Sequence, residues 1–222
     1  MSVRNKYPIN LRMNTAAPTG TFSNAKQIST NTFCNDITLY NPSFSWPNRN
    51  TNEPDIAAVT LNGQNYTKNS VITAEGTNTL VISTVAGKST TYQIIIDYTV
   101  PTNTPLQTYT NQAIYYSATD TNDISKIYYR KGSGNYNYTT HSFYTVTATE
   151  ANNGTWYFYA EDIAGNTSTA VNCTLDTVAP VNPSMSQYTN QDIRFNPSDA
   201  TSGVSAIYYR KGEDGNYSTT FD

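Results

Sequence analysis

A strand followed by a glycine-bearing turn constrains this chain more than any other feature. Apolar and more polar positions alternate through Gly154–Asp162, with Trp156, Phe158 and Ala160 on one parity. A period of two predicts a β-strand with one buried face. Gly165 lies in the turn that follows, where a left-handed conformation would close a bulged hairpin. The stretch therefore predicts one half of a two-stranded hairpin.

The same unit occurs earlier in the chain. Residues 168–175 are predicted to return antiparallel to the first strand, and residues 76–88 followed by 91–97 repeat the arrangement. Each hairpin ends at an aspartate and a proline-containing connection. A hairpin that is built twice in this way predicts tandem all-β domains rather than one large domain.

Three prolines set the predicted domain boundaries. Pro18, Pro101 and Pro180 occur in similar polar connections, 83 and 79 residues apart. Proline keeps a short linker extended and stiff, which favours domains in an extended row. The predicted division is an N-terminal segment over 1–13, a first repeat over 14–97, a second over 98–176, and an incomplete third over 177–222.

The third repeat aligns with only the first part of the second. Asp222 falls near the position of His141, so the third repeat has no counterpart of the strand and turn at 154–166. A sandwich without its last strands would expose core and unpaired backbone. We expect either that further sequence follows Asp222 or that a partner's strand completes the repeat, for which residues 1–13 are a candidate.

Composition excludes several classes of protein. Charged residues make up 13% of the 222 residues, tyrosine occurs 19 times, and the net charge is −3, so there is no polybasic surface for nucleic acid. Cys34 and Cys173 fall in different repeats, which predicts buried free thiols rather than a disulfide within one domain. No window reaches 18 apolar residues, so no membrane-spanning segment is predicted.

The start of the chain carries no apolar run of the kind found in a signal peptide. Two interpretations follow. The sequence is part of a larger protein, or the protein is made in a cytoplasm and leaves by another route, as virion proteins do on lysis and spore-surface proteins do from a mother cell.

The N-terminal segment alternates between an apolar parity and a basic parity. The apolar positions are Val3, Tyr7, Ile9, Leu11 and Met13. Pro8 removes a backbone donor, so this predicted strand should pair on one side only. It could cover an edge of the first domain, act as a donor strand that adds to another subunit's sheet, or be disordered.

Repeats two and three share the hexapeptide Ile-Tyr-Tyr-Arg-Lys-Gly, at 127–132 and 207–212. Alternation predicts that Ile127 and Tyr129 point inward, and likewise Ile207 and Tyr209 in repeat three. The residues predicted to point outward, as a candidate binding face, are Tyr128 and Arg130 in repeat two and Tyr208 and Arg210 in repeat three. Outward tyrosines can stack on a glycan, although tyrosine is also simply a good strand former.

Catalytic chemistry is not predicted. The chain has one histidine, His141, in a region rich in threonine, serine and tyrosine, where a solvated side chain is expected. No cysteine and histidine cluster has zinc-ligand spacing. Aspartates in loops or at domain junctions offer a limited case for calcium, against the commoner role of capping a turn; they are Asp97, Asp120, Asp123, Asp162, Asp176 and Asp199. No other cofactor is predicted.

Three stretches of the chain resemble the bacterial immunoglobulin-like repeats of large surface proteins, particularly those of low-GC Gram-positive bacteria and their phages. They are the linker Asp176–Pro180, the stretch Ser202–Tyr209, and the strand and turn Gly154–Asn166. The resemblance covers about 14–222. It implies tandem immunoglobulin-like β-sandwiches without catalytic residues, which serve as stalks, spacers or binding modules.

These observations favour a non-enzymatic structural component of an exterior assembly, with residues 1–13 as anchor and the repeats projecting outward. A virion decoration or fibre protein and a spore or cell-surface filament both fit, with copies of the chain or a capsid, tail or filament scaffold as partners. The alternative is a fragment of a wall-anchored adhesin that binds host glycan or protein through the exposed faces of its repeats.

Overall fold

The computed structural model describes residues 16–35, 42–47 and 55–220. Regular structure in these ranges is β, apart from one 3-10 turn at Glu150–Asn152. The chain divides into two compact units, of which the first extends to Thr99 and includes Ile163–Asn166, and the second comprises Val100–Asp162 and the residues from Thr167 onward. The predicted all-β class is confirmed. The domain boundaries and the row-like arrangement stay predictions.

Eight strands lie in the described residues of the first unit. They are β1 (Thr21–Ser23), β2 (Ala25–Ser29), β3 (Thr32–Asn35), β4 (Ser43–Ser45), β5 (Ile56–Leu61), β6 (Gln64–Asn65), β7 (Gly76–Thr84) and β8 (Ser89–Ile96). One sheet has the order β2-β3-β8-β7-β5-β6, and β1 pairs with β4 in a second, two-stranded sheet. The predicted hairpin at residues 76–97 is confirmed as the antiparallel pair β7 and β8.

The core of the first unit lies between these two sheets. Phe44 of β4 packs with alternate residues of β7 and β8, including Leu80 and Ile94, and all three are fully buried. Asn62 and Gly63 form the turn between β5 and β6, and both have positive φ, 51° and 79°, as a type I′ turn requires. The alternation that predicted these strands therefore also fixed which side chains enter the core.

Eight strands also form the body of the second unit. They are β9 (Thr102–Asn103), β10 (Tyr109–Thr110), β11 (Ile114–Thr119), β12 (Ile124–Lys131), β13 (Asn137–Thr139), β14 (Phe143–Val146), β15 (Gly154–Asp162) and β16 (Val171–Leu175). One sheet has the order β10-β16-β15-β12-β13 and the other has the order β14-β11-β9. Strand β16 begins three residues later than predicted.

The two sheets of the second unit share one core, which makes this unit a β-sandwich. Tyr116 of the three-stranded sheet stacks on Phe158 of the five-stranded sheet, with ring centroids 5.0 Å apart. Ile127 is fully buried in the same cluster, and Tyr129 packs against it. The predicted inward face of β12 is thus confirmed. Gly165 has φ 103°, the left-handed conformation predicted for its turn.

The remainder of the second unit contains a short hairpin. Strand β17 (Ile207–Tyr209) pairs antiparallel with β18 (Ser218–Thr220), and the two form a separate two-stranded sheet. Tyr209 is 54% exposed, so its predicted inward position is wrong, because no further strand packs over this hairpin within the described residues. The loop before it is organised by Asp199, whose carboxylate accepts hydrogen bonds from backbone N–H groups, including that of Ser202 at 2.8 Å.

Both cysteines are buried free thiols, as predicted. Cys34 belongs to β3 and Cys173 to β16. Burial raises the pKa of the Cys173 thiol. Cys173 packs in the apolar core of the second unit, whereas Cys34 Sγ donates a hydrogen bond of 3.7 Å to Asn35 Oδ1.

The predicted anchoring strand lies outside the described residues. This applies to all five of its apolar positions, Val3, Tyr7, Ile9, Leu11 and Met13. Among the residues that the structure does describe, none forms a helix long and apolar enough to cross a bilayer.

Candidate binding faces

The predicted binding face of repeat two lies on the outer side of the five-stranded sheet. Tyr128 stands on β12 directly opposite Tyr159 of β15, and opposite Tyr138 of β13 on its other side. The rings of Tyr128 and Tyr159 are nearly parallel, at 7°, with centroids 4.5 Å apart. Tyr128 is half-buried as a result, so much of its ring surface is already covered by neighbouring rings.

Neighbouring aromatic rings also cover part of Arg130. Its guanidinium carbon lies 4.8 Å from the ring centre of Tyr136 and 4.7 Å from that of Tyr157. Nη1 donates a hydrogen bond of 3.3 Å to the carbonyl of Gly134, whereas Nε is buried with no partner within the described residues. The sandwich of a cation between two rings stabilises the strand pair and leaves little of the guanidinium free to meet a ligand.

An ion pair continues this face along the strands. Lys126 Nζ lies 2.5 Å from Glu161 Oε1, and the Tyr128 hydroxyl donates to Glu161 Oε2 at 2.9 Å. The hydrogen bond to Glu161 is the main cause that raises the pKa of Lys126, while burial is the main cause that raises the pKa of Tyr128. The outer face of this sheet is therefore a connected set of aromatic and charged side chains that contact one another, with Arg130 Nε as the one buried polar side-chain atom left without a partner among the described residues.

The corresponding residues of repeat three are more exposed. Tyr208 is 66% exposed, and Arg210 lies 5.1 Å from the ring centre of Tyr217. Arg210 thus keeps one of the two ring contacts that Arg130 makes. Whether these four predicted residues bind a ligand stays a prediction.

A second aromatic surface, which the sequence analysis missed, lies on the outer side of the three-stranded sheet. Tyr115 of β11 and Phe143 of β14 have ring centroids 5.5 Å apart and planes inclined by 24°. His141 follows Phe143 at 6.3 Å and 28°, and its exposure agrees with the predicted solvated side chain. Alternation could have indicated Tyr115, since it lies between the buried residues Ile114 and Tyr116.

The second unit also has an open polar cleft of about 320 Å³. Its lining residues are Gln107, Tyr109, Thr110, Asn111, Gln112, Asp176 and Ser202. The Asp176 carboxylate accepts a hydrogen bond from Val178 N at 3.1 Å and another from Ser202 N at 3.0 Å. Both carboxylate oxygens of Asp176 therefore accept hydrogen bonds from backbone N–H groups.

The loop aspartate Asp199 behaves similarly. Hydrogen bonds from the backbone N–H groups of Thr201 and Ser202 are the main causes that lower the pKa of its carboxyl group. These contacts match the turn-capping role of a loop aspartate. Calcium binding by the aspartates named from the sequence stays a prediction.

Comparisons with known proteins add similarity in fold only. No protein-family model and no curated protein sequence matches the chain. Among solved structures, the fibronectin(III)-like modules of Clostridium thermocellum CbhA align at 16% identity and a TM-score of 0.30, over 60% of this chain and 83% of that one.

A second solved structure is SGBP-B of the mixed-linkage glucan utilization locus of Bacteroides ovatus, in complex with a mixed-linkage heptasaccharide. It aligns at 12% identity and a TM-score of 0.22, over 79% of this chain, which spans 58% of that protein's length. At these TM-scores neither similarity carries an argument about what this chain binds.

Proposed function

We propose that this protein is a non-enzymatic structural component of an exterior assembly, as a virion decoration or fibre protein or a spore or cell-surface filament. Residues 1–13 attach it to the assembly, and the immunoglobulin-like repeats project outward. Its partners are other protein subunits, either copies of itself or a capsid, tail or filament scaffold. It acts outside the cell that makes it.

The observation that carries this proposal is a turn that occurs at the end of each of two repeats. Buried Asp97 accepts hydrogen bonds from the backbone N–H and the hydroxyl of Thr99, at 3.0 and 2.7 Å. Asp176 accepts the equivalent backbone hydrogen bond from Val178. A carboxylate that binds the N–H group two residues ahead fixes an Asx turn, and the proline that follows fixes φ. The same turn at the end of each repeat supports a tandem array, as in a spacer or stalk.

The experiment is light scattering on the chain with and without residues 1–13, together with the Ile9→Asp/Leu11→Asp variant. We expect the intact chain to form oligomers or filaments, and both altered proteins to be monomeric, because two charges on the apolar face would have to be desolvated in another subunit's sheet. Ser2→Asp/Asn10→Asp adds the same charge to the polar face and is the matched control.

Circular dichroism must show that each protein remains folded. Assembly by the Ile9→Asp/Leu11→Asp variant, or loss of assembly in the control as well, would contradict the proposed anchoring role of this segment.

The second candidate function is adhesion to a host glycan or protein. It is favoured by the exposure of Tyr208 beside the Arg210 and Tyr217 pair. Replacement of Tyr208 and Arg210 by alanine should then reduce attachment of the chain to a mucin-coated surface. Replacement of Tyr128 and Arg130, whose rings and charge are held by intramolecular contacts, should instead reduce stability.

A further inference from the structure

The outer side of the three-stranded sheet presents two aromatic rings to solvent. Tyr115 is 54% exposed and Phe143 is 45% exposed. The two rings are in contact, so they form one continuous exposed apolar surface rather than two scattered exposed residues. We call Tyr115, Phe143 and the adjacent His141 the aromatic platform.

The strands hold the platform in place. In β11 the residues Ile114, Tyr116 and Ala118 point into the core, so Tyr115 must point outward. In β14 the buried residue is Val146, which leaves Phe143 on the outer face. The register pairs Tyr115 with Thr145 and Ser117 with Phe143. The two rings are therefore diagonal neighbours across one strand pair, and they pack on each other without any ligand.

The polar groups around the platform are neutral. Strands β9, β11 and β14 contain no lysine, arginine, aspartate or glutamate. Ser117 and Thr145 supply hydroxyl groups beside the rings. The other sheet differs, since its outer face has the Lys126 and Glu161 pair and Arg130. A surface without formal charge offers no complementarity to an acidic or basic partner.

The size of the platform favours a small ligand over a protein. At about half exposure, two rings offer roughly 200 Å² of aromatic surface. A stable interface between proteins needs about 800 Å² from each partner. An exposed aromatic surface of this size, edged by hydroxyl groups, fits a ligand with one apolar face and a rim of hydroxyl groups.

We propose that the aromatic platform binds a neutral carbohydrate, whose apolar C–H face packs against the exposed surface of the Tyr115 and Phe143 pair. The hydroxyl groups of Tyr115 and Thr145 then hydrogen-bond the hydroxyl groups at the rim of the sugar. The near-parallel planes of the two rings are already set in the free protein, so binding orders few side chains. This site goes beyond the proposed structural role and does not depend on it.

The test is affinity electrophoresis of the full chain in native gels that contain hydroxyethylcellulose, xyloglucan or galactomannan as neutral probes, with polygalacturonate as an acidic probe. We expect at least one neutral polysaccharide to retard the chain. Tyr115→Ala/Phe143→Ala should weaken this retardation about tenfold or more, since each stacked ring contributes on the order of 1 kcal/mol. Phe143→Tyr keeps the ring and should keep the binding.

Tyr138→Ala is the matched control, because Tyr138 is 59% exposed on the outer face of the other sheet. It should leave the retardation unchanged. The proposal is overturned if none of the neutral polysaccharides retards the chain, if only polygalacturonate does, or if the Tyr138 variant loses binding to the same extent. It is also overturned if Tyr115→Ala/Phe143→Ala changes the mass measured by light scattering, because the platform would then be an interface between copies.

Failure of this test leaves the proposed structural role intact. That role depends on residues 1–13 and is tested by the variants at Ile9 and Leu11. Thermal melting of each platform variant confirms that a loss of binding is not a loss of folding, which these exposed positions should not cause.

Discussion

The same hexapeptide occurs at 127–132 and at 207–212, in two different surroundings. Both copies form a strand that pairs antiparallel with the segment that follows it, Ile127 opposite Thr139 and Ile207 opposite Thr220. In each copy the arginine lies over a tyrosine of the connecting turn, at 4.8 Å in repeat two and 5.1 Å in repeat three. The hairpin and its cation–π contact therefore follow from local sequence.

Burial differs between the two copies. Ile127 is fully buried and Tyr129 stacks on Tyr144 at 3.6 Å, whereas Ile207 is half-buried and Tyr209 is 54% exposed. Repeat two has β15 along the length of β12, and a second sheet over it. In the described part of repeat three, β17 pairs with β18 alone. The comparison shows that local sequence is enough to form the hairpin, whereas the burial of its residues depends on strands elsewhere in the chain.

The largest expected difference is between Ile127→Ala and Ile207→Ala. The first change should lower the free energy of unfolding of the second unit by about 3 kcal/mol, because it leaves a cavity in a closed core. The second should cost less than about 1 kcal/mol, since surface substitutions cost little. Urea unfolding followed by circular dichroism compares the two, and Trp156 fluorescence identifies the transition. Equal losses would mean that Ile207 is in an equivalent core.

A smaller difference is expected between Arg130→Ala and Arg210→Ala. Arg130 lies between two rings and Arg210 over one, so the first change should cost roughly 1–2 kcal/mol and the second about 0.5 kcal/mol. Tyr157→Leu removes one ring from Arg130 and should bring its contribution close to that of Arg210. A double-mutant cycle between positions 130 and 157 measures this, and a coupling of zero would contradict it.

The smallest effect on the free energy of unfolding at neutral pH is expected for a substitution of Tyr144. This residue packs on Tyr129 of repeat two. Burial is the main cause that raises the pKa of Tyr144 to about 12, and the Tyr129 hydroxyl adds to it. A tyrosine in an unfolded chain has a pKa of about 10. The contribution of neutral Tyr144 to the free energy of unfolding is thus complete below pH 10. It is lost as the pH rises to about 12, because Tyr144 ionises first in the unfolded chain.

Tyr144→Phe removes the ionisable hydroxyl group and should make the loss of stability above pH 10 less steep. Urea unfolding at intervals from pH 7 to 12 measures it, and below pH 9 the two proteins should unfold alike. An unchanged slope above pH 10 would show that Tyr144 does not carry this dependence. Other buried tyrosines with raised pKa values, such as Tyr116, account for the slope that remains.

Much of the fold could be predicted from alternation and turn residues. The strand Gly154–Asp162 and the positive φ angle of Gly165 are confirmed. The parallel pairing of β10 with β16 was not predicted, because it joins segments far apart in sequence. Such a pairing leaves no pattern in the local sequence from which it could be predicted.

Prediction of the candidate binding faces from the sequence was limited for the same reason. Alternation placed Tyr128 and Arg130 on the outer side of β12, but it did not reveal that rings from other strands cover them. Phe143 was missed because its strand has only four residues and its partner ring, Tyr115, lies on a strand 24 or more residues earlier in the chain, across the whole of β12 and β13.

By itself, the sequence determined the strands, the tight turns and the contact of each repeated arginine with a tyrosine nearby in the chain. All of these depend on residues within about ten positions of one another, where backbone conformation and side-chain alternation decide the outcome. Only the tertiary structure decided that Ile127 is fully buried whereas Ile207 is half-buried, that neighbouring rings cover Tyr128, and that Tyr115 and Phe143 remain exposed. The physical reason is that burial depends on surface contributed by distant strands, and that surface exists only once the sheets have packed.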